Sequence, residues 1–210
     1  MSIPPIVHAY WGGGPLPEWQ AELLAVWQSK HEVMFWTDDN LPEMRHRDLF
    51  DNPARFSPTT HPGQYKSDIL RWEVLHDYGG VWIDCDLEWR KDIASLLELP
   101  GFSAWELQDQ YINTAFMGFP AAHPALAIAL DGLRNRILSN PQMRIPTSGS
   151  YATPILRDRH DVHILDKRQV YPYLYGEWDR AQGPFNDDVW VVHHWANARR
   201  NAGLQGVRVD

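Results

Sequence analysis

Two aspartates two residues apart, Asp84 and Asp86, are the side chains in this 210-residue sequence whose type and spacing point most directly to chemistry. They lie in the run Val81-Trp82-Ile83-Asp84-Cys85-Asp86-Leu87-Glu88-Trp89. Its alternation predicts a strand over 81–89, with Val81, Ile83, Cys85, Leu87 and Trp89 on one face and Trp82, Asp84, Asp86 and Glu88 on the other. On such a strand the two carboxylates are neighbours about 6.6 Å apart. Negative charges that close repel unless something positive sits between or beside them. A divalent cation with oxygen ligands removes the conflict. Upstream, Asp68 and Arg71 are three residues apart and share one face of a helix. Arginine forks onto phosphate or hydroxyl oxygens, and aspartate accepts hydrogen bonds from hydroxyl groups. The plain alternatives are an edge strand with its acids in water and a surface ion pair worth little.

The elements that must carry these residues argue against the plain alternatives. Residues 63–78 read as a helix with Tyr65, Ile69, Trp72 and His76 on one side and Leu70, Val74 and Leu75 over much of the rest. A helix this apolar is buried, leaves little surface for an ion pair, and makes the strand after it central. Gly79-Gly80 ends it, because glycine tolerates the left-handed cap. Earlier, residues 6–11 form a short strand that runs into Gly12-Gly13-Gly14-Pro15. Pro17-Glu18 opens a helix with Trp19, Leu23 and Trp27 as its apolar stripe, and 33–36 form a second strand. Strand, helix, strand is the pattern of a parallel pair with a helical crossover. Residues 41–62 read as short helices and loops. Strands are expected at 102–106, 115–119, 162–165 and 189–192, and a helix from His123-Pro124 with Leu126, Leu130, Leu133 and Ile137 inward. The expected class is α/β, one mainly parallel sheet flanked by helices, with ligands at the carboxyl ends of the strands.

Composition bounds the rest. Hydrophobic residues are 44% and charged residues 22%, an ordinary globular balance. The length suits a single domain over 1–210 that buries roughly 70% of its unfolded surface. A net charge of −8 argues against non-specific nucleic-acid binding. The lone cysteine, Cys85, excludes an internal disulfide and a cysteine-built zinc site. No secretory pattern and no apolar run of about 20 residues occurs, so a soluble, cytoplasmic protein is expected. Eleven tryptophans supply either core filling or platforms for sugars and bases.

The block Ser67-Asp68-Ile69-Leu70-Arg71-Trp72, then Leu75 and Tyr78-Gly79-Gly80-Val81-Trp82-Ile83-Asp84-Cys85-Asp86, closely resembles the DXD-containing glycosyltransferases. The nearest group is glycosyltransferase family 32, with its Och1-like mannosyltransferases and capsular polysaccharide enzymes; the glucosylating domains of clostridial toxins carry a similar segment. Ile3-Pro4-Pro5-Ile6-Val7-His8 to Trp11-Gly12-Gly13, Phe35-Trp36-Thr37-Asp38, and the stretch from Asn113 to Pro124 also look like parts of that family. The resemblance implies a GT-A-type nucleotide-diphospho-sugar transferase fold with a Rossmann-like sheet. It assigns 1–90 to the sugar nucleotide and 91–210 to the acceptor side and sheet completion.

The same resemblance implies that Asp84 and Asp86 bind a divalent cation, Mn²⁺ or Mg²⁺, that grips the donor diphosphate. A late histidine completes the metal shell, His193 before His194; the alternative for His193 is a strand histidine packed under Trp195. Asp68 and Arg71 match residues that contact the donor sugar, with Arg71 assisting the leaving group, and Trp11 matches a tryptophan that stacks on the base. Asn113 is a candidate on the substrate side, with Glu106 and Asp109 as further candidate acceptor-side groups; the alternative for each of the three is a structural role. Gly149 is expected at the donor pocket, although Gly149-Ser150 replaces the Gly-Pro of many relatives, and Ala198-Arg199 replaces their Ser-Trp pair. The expected reaction moves a hexose, with retention, from a nucleotide-diphosphate sugar to an acceptor glycan or other acceptor. A uridine diphosphate sugar is favoured as donor, with GDP-mannose as the alternative.

Two rivals use the same residues. A haloacid-dehalogenase-like phosphatase also carries Asp-x-Asp after an apolar strand, with Lys167 and Asp187-Asp188 as its later groups. That motif usually lies on the first strand and is followed two residues later by Thr or Val, whereas here about eighty residues precede it and position 88 is Glu. A non-catalytic carbohydrate-binding protein accounts for the tryptophans but not for Asp84 and Asp86 beside Asp68 and Arg71.

Overall fold

The computed structural model describes residues 2–58, 60–140, 148–204 and 206–207. The chain opens with β1 (Ile6–Tyr10), α1 (Glu18–Lys30) and β2 (Glu32–Trp36). β1 and β2 are parallel, registered from Ile6 with Glu32 to Tyr10 with Trp36, so α1 is the expected crossover. Two four-residue helices follow, α2 (Arg47–Phe50) and α3 (Pro53–Phe56), and then the buried helix α4 (Pro62–Tyr78). The remaining elements are β3 (Gly80–Ile83), β4 (Leu87–Trp89), β5 (Phe102–Leu107), β6 (Tyr111–Phe119), α5 (Pro124–Leu138), α6 (Gly149–Leu156), β7 (His163–Leu165), β8 (Val191–His193) and α7 (Ala196–Asn201).

Six strands form the main sheet in the order β2-β1-β3-β6-β5-β7. β1 runs parallel to β2 and β3, and β7 parallel to β5. β6 runs antiparallel to both of its neighbours, so the sheet is mixed rather than uniformly parallel. Alternation in β3 feeds two cores. Trp82 joins Tyr65, Ile69 and Trp72 of α4 and Leu126 and Leu133 of α5, while Val81 and Ile83 join Leu24 and Trp27 of α1 and Val191 of β8.

The expected strand over 81–89 is interrupted. Asp84 N makes a last hydrogen bond to Ala115 O, and Leu87 N then donates to Asp84 O, closing a turn. Beyond that turn β4 leaves the main sheet and pairs antiparallel with β8 as a second, two-stranded sheet. Asp84 therefore opens a turn at the end of β3 and Asp86 lies within it, so the two do not share a strand face. Aspartate favours turns because its side chain satisfies local backbone groups. Period-two alternation cannot register such a break when the residues on both sides keep phase.

The hinge between α4 and β3 is built from glycine for steric reasons. Gly79 and Gly80 have φ of 65° and 103°, and a Cβ on Gly80 would stand 2.4 Å from Ile6 O. His8, on β1, pins this hinge: its Nε2 bonds Gly79 O at 2.9 Å, and its Nδ1 accepts from Trp36 Nε1 at 3.2 Å.

Candidate active site

α4 and β3 assemble one half of the site. Asp68 and Arg71, each 3% exposed, pair at 2.8 Å within the protein rather than on its surface. Arg71 Nη2 also reaches Asp84 Oδ1 and Ser67 Oγ, each at 3.1 Å. Its Nη1 donates to Thr114 Oγ1 on β6, and the guanidinium lies 5.3 Å over the Trp82 ring. Trp82 Nε1 donates to Asp84 Oδ1 at 2.8 Å. Burial raises the Asp68 pKa to about 7, the Arg71 charge pulling it down and the Asp84 charge adding to the rise. Its Oδ2 is buried with no hydrogen-bond partner. Native structures rarely leave such an acceptor unpaired, so it is a natural place for a ligand hydroxyl.

The other half comes from the far end of the chain. Asp86 Oδ1 lies 3.3 Å from His193 Nε2, its Oδ2 accepts from Ala196 N at 2.7 Å, and its backbone oxygen accepts from His194 N. Burial alone would raise the Asp86 pKa, but the His193 charge and hydrogen bond, with Ala196 N–H and the His194 charge, hold it at about 2. For His193 burial opposes protonation, and the Asp86 carboxylate, helped by Asp84 and Glu106, reverses this and raises its pKa. The ring packs edge-on against Trp195 at 4.3 Å. Packing under Trp195 and facing Asp86 are thus the same placement. Trp195 has φ 54°, an outlier for a bulky residue, and the bend it makes carries Ala196 N to Asp86.

Asp84, Asp86 and His193 each offer one ligand atom, and these atoms lie within 4.8 Å of one another. Two carboxylate oxygens and an imidazole nitrogen are a donor set that can hold a divalent cation, the carboxylates suiting Mn²⁺ or Mg²⁺. His194 stands apart. Its Nε2 meets Glu88 Oε2 at 2.8 Å and its Nδ1 meets Tyr173 OH at 2.9 Å, so both nitrogens belong to a separate buried network.

The remaining expected residues are spread around this cluster. Trp11 follows β1, half-buried, its indole N–H on Gly14 O at 3.0 Å; Cys85 Sγ, in the acidic turn, reaches the preceding Tyr10 O. Asn113, on β6, donates to Glu106 Oε2 at 2.6 Å and accepts from Ala115 N. Burial raises the Glu106 pKa, against the Asn113 bond and the His193 charge. Gly149 begins α6 against β6, where a Cβ would come within 2.3 Å of Ile112 O and the Tyr111 ring; close packing accounts for this glycine. Asp109 is exposed in the turn between β5 and β6, with φ 59°. Thr114 and Ala196 N were not foreseen. Nothing in their local sequence marks them, since each matters through a partner at least 43 residues away. Asp187 and Asp188, required by the phosphatase alternative, do not join Asp84 and Asp86 in the metal-competent cluster found among the described residues; Lys167, its other group, opens the 3-10 turn Lys167–Gln169 that follows β7.

Comparison with known proteins follows the same lines. Residues 27–119, which contain both aspartates, match the capsular polysaccharide synthesis protein family. Inositol phosphoceramide mannosyltransferase 2 of Schizosaccharomyces pombe is 28% identical over 96% of this chain and 60% of its own length. The PaToxG glycosyltransferase superposes with a TM-score of 0.59 at 14% identity, covering 100% of this chain and 82% of that one. The galactosyltransferase LgtC gives 0.51 at 11% identity, with 97% of each chain covered. The chain has the GT-A glycosyltransferase fold. Its resemblance to the DXD-containing glycosyltransferases thus extends from the motif block to the architecture. In the GT-A fold of this chain the acidic turn stands where β3 leaves the sheet. The chain spans 35% to 60% of the length of its three Schizosaccharomyces pombe relatives. No helix among the described residues is long and apolar enough to cross a membrane.

Proposed function

We propose that this protein is a metal-dependent glycosyltransferase that moves a hexose from a nucleotide-diphosphate sugar to an acceptor hydroxyl with retention of configuration. The observation that carries this reading is the meeting of Asp84, Asp86 and His193 within 4.8 Å beside the buried Asp68–Arg71 pair. The bond from the anomeric carbon to the diphosphate oxygen breaks, and a bond to the acceptor oxygen forms on the same face. The acceptor proton leaves with the diphosphate.

Asp84, Asp86 and His193 would hold the cation, which when bound supplies Lewis-acid stabilisation of charge on the departing diphosphate. Arg71 is fixed by Asp68, Ser67, Thr114 and Asp84, so its positive charge needs no reorganisation as negative charge grows nearby. Asp68 Oδ2 accepts from a hydroxyl of the transferred sugar. Trp11 stacks on the base, and Asn113 with Glu106 orients the acceptor. The names of the curated relatives put mannose beside the uridine-linked hexoses as the sugar to test.

The test is a donor screen, UDP-hexoses against GDP-mannose with Mn²⁺ or Mg²⁺, scoring nucleotide diphosphate release and thermal stabilisation by the diphosphate. A transferase is stabilised by nucleotide diphosphate only when metal is present. Stabilisation by free glycan alone, or undiminished release in excess chelator, refutes the reading.

A further inference from the structure

Tyr171 lies behind the acid and histidine cluster, on the segment that leads from β7 to β8. Its ring stands edge-on to His193 at 5.6 Å and tilted against Trp195, also at 5.6 Å. The residue is 2% exposed. Its hydroxyl senses the charges of Glu106 on β5, Asp84 and Asp86 in the acidic turn, and Arg71 on α4. The ring contact with His193 places this side chain beside the Asp84, Asp86 and His193 cluster. That oxygen is buried and has no hydrogen-bond partner.

Tyr173, two residues further on, shows the ordinary arrangement: equally buried, it bonds His194 Nδ1 at 2.9 Å. An unpaired buried hydroxyl costs free energy that a phenylalanine of the same shape avoids. Packing against His193 and Trp195 needs only the ring, so packing does not account for the oxygen. A tyrosine hydroxyl keeps its proton well above neutral pH and so is available as a hydrogen-bond donor.

We propose that Tyr171 is a substrate-binding residue whose ring seats His193 and whose hydroxyl donates to an oxygen of the sugar nucleotide. The proposal rests on the transferase reading and adds to it a donor that no local motif marks.

The variant Tyr171→Phe removes one oxygen and keeps the ring. It is compared with the wild type by thermal unfolding without ligand, and by calorimetric titration with UDP, GDP, UDP-glucose and GDP-mannose in Mn²⁺. The expected result is an unfolding temperature equal to or above that of the wild type, with affinity for the nucleotides that the wild type binds reduced about tenfold. A loss already present with the free diphosphate places the bond on phosphate; a loss confined to the sugar nucleotide places it on the sugar. Unchanged affinity overturns the proposal while leaving the transferase reading standing. A lower unfolding temperature also overturns it, because the hydroxyl then had a partner inside the folded protein. A wild type that binds none of the four probes removes both readings together.

Discussion

The two aspartates of the acidic turn are two residues apart in sequence and are held in opposite ways. Asp84, with 27% of its side chain exposed, is gripped from α4 by Arg71 and from β3 by Trp82. Asp86, with 9% exposed, is gripped from the end of the chain by His193 and Ala196 N. One limb of the site is local, drawn from residues 67–86. The other closes a loop of more than 100 residues. The turn is thus the point where the N-terminal half of the sheet is fastened to the C-terminal segment. The two acids serve one cation in the proposed reaction and different parts of the fold.

The sharpest way to break this comparison is to remove each acid in turn. Asp84→Ala and Asp86→Ala should each lower transfer on the order of 10³-fold, since each removes a ligand of the cation that stabilises the leaving group. Their stabilities should diverge. Asp86→Ala leaves His193 buried without its partner and frees Ala196 N, at about 3 kcal/mol. Asp84→Ala leaves Arg71 still paired with Asp68, at about 1 kcal/mol. Urea unfolding of both variants separates the two roles. Equal stability losses would show that the C-terminal segment does not depend on Asp86.

The difference between the limbs also explains what could be read from the sequence. Asp68, Arg71, Asp84 and Asp86 fall in one block whose helix, glycine hinge and strand are set by local rules, so that limb was legible. The break after Ile83 was not, because Leu87 and Trp89 keep the alternation of Val81 and Ile83 after β4 has left the sheet. β6 was shortened for a related reason: Tyr111 to Thr114 have a mixed pattern, and their strand is specified by pairing with β5. His193 was separable from His194 only in three dimensions, where Glu88 and Tyr173 occupy the second histidine. Thr114 and Tyr171 act through partners that no spacing rule reaches.

The limbs should also differ in their response to pH, and two histidines report it. His8 is fully buried, and burial lowers its pKa to about 4, against the bond to Gly79 O. Between about 6.5 and 4 the unfolded chain binds a proton there that the folded chain does not. His8 therefore stabilises the hinge above 6.5, and its contribution is lost as pH falls through that window, on the order of 3 kcal/mol. His193 has the opposite sign. Its folded pKa is raised, so its contribution is fully present below the unfolded value and is lost as pH rises through the folded one. Ring titrations followed by NMR on metal-free protein should show His8 neutral down to about pH 4 and His193 protonated above its ordinary range. A His8 ring that titrates near 6.5 would mean that the hinge is not sealed.

Substituting the adjacent histidines sharpens the C-terminal limb further. His193→Ala should weaken Mn²⁺ affinity by at least about 10–100-fold, the range for loss of an outer-shell partner, because it removes a ligand itself. His194→Ala should leave that affinity nearly unchanged and lower stability instead, because Glu88 and the Tyr173 hydroxyl lose a buried partner. Metal titration by calorimetry beside urea unfolding gives both readouts. The reverse pattern would move the third ligand to His194 and require the second sheet to slip by one residue, since β8 places His193 opposite Leu87.

The smallest effect is expected at Trp11, which follows β1 and joins the local limb through the strand next to β3. Its indole N–H is already used on Gly14 O and its backbone N–H on Trp36 O, so only the ring face remains for a ligand. Stacking on a base is tolerant of sequence and is worth about 1–3 kcal/mol per base by alanine substitution. The ring is half-buried before binding, and part of that contact is therefore kept in the free protein, which places the loss near 1 kcal/mol. Trp11→Ala should weaken nucleotide diphosphate binding about fivefold, with Trp11→Phe between it and the wild type. The metal affinity in the absence of nucleotide should not move, because Trp11 offers the cation no ligand atom, and its neighbour Tyr10 meets the acidic turn through its backbone oxygen, on Cys85 Sγ. If Trp11→Ala changed metal affinity as much as nucleotide affinity, the local limb would be one cooperative unit, and the contrast between the two aspartates would lie in its attachment alone.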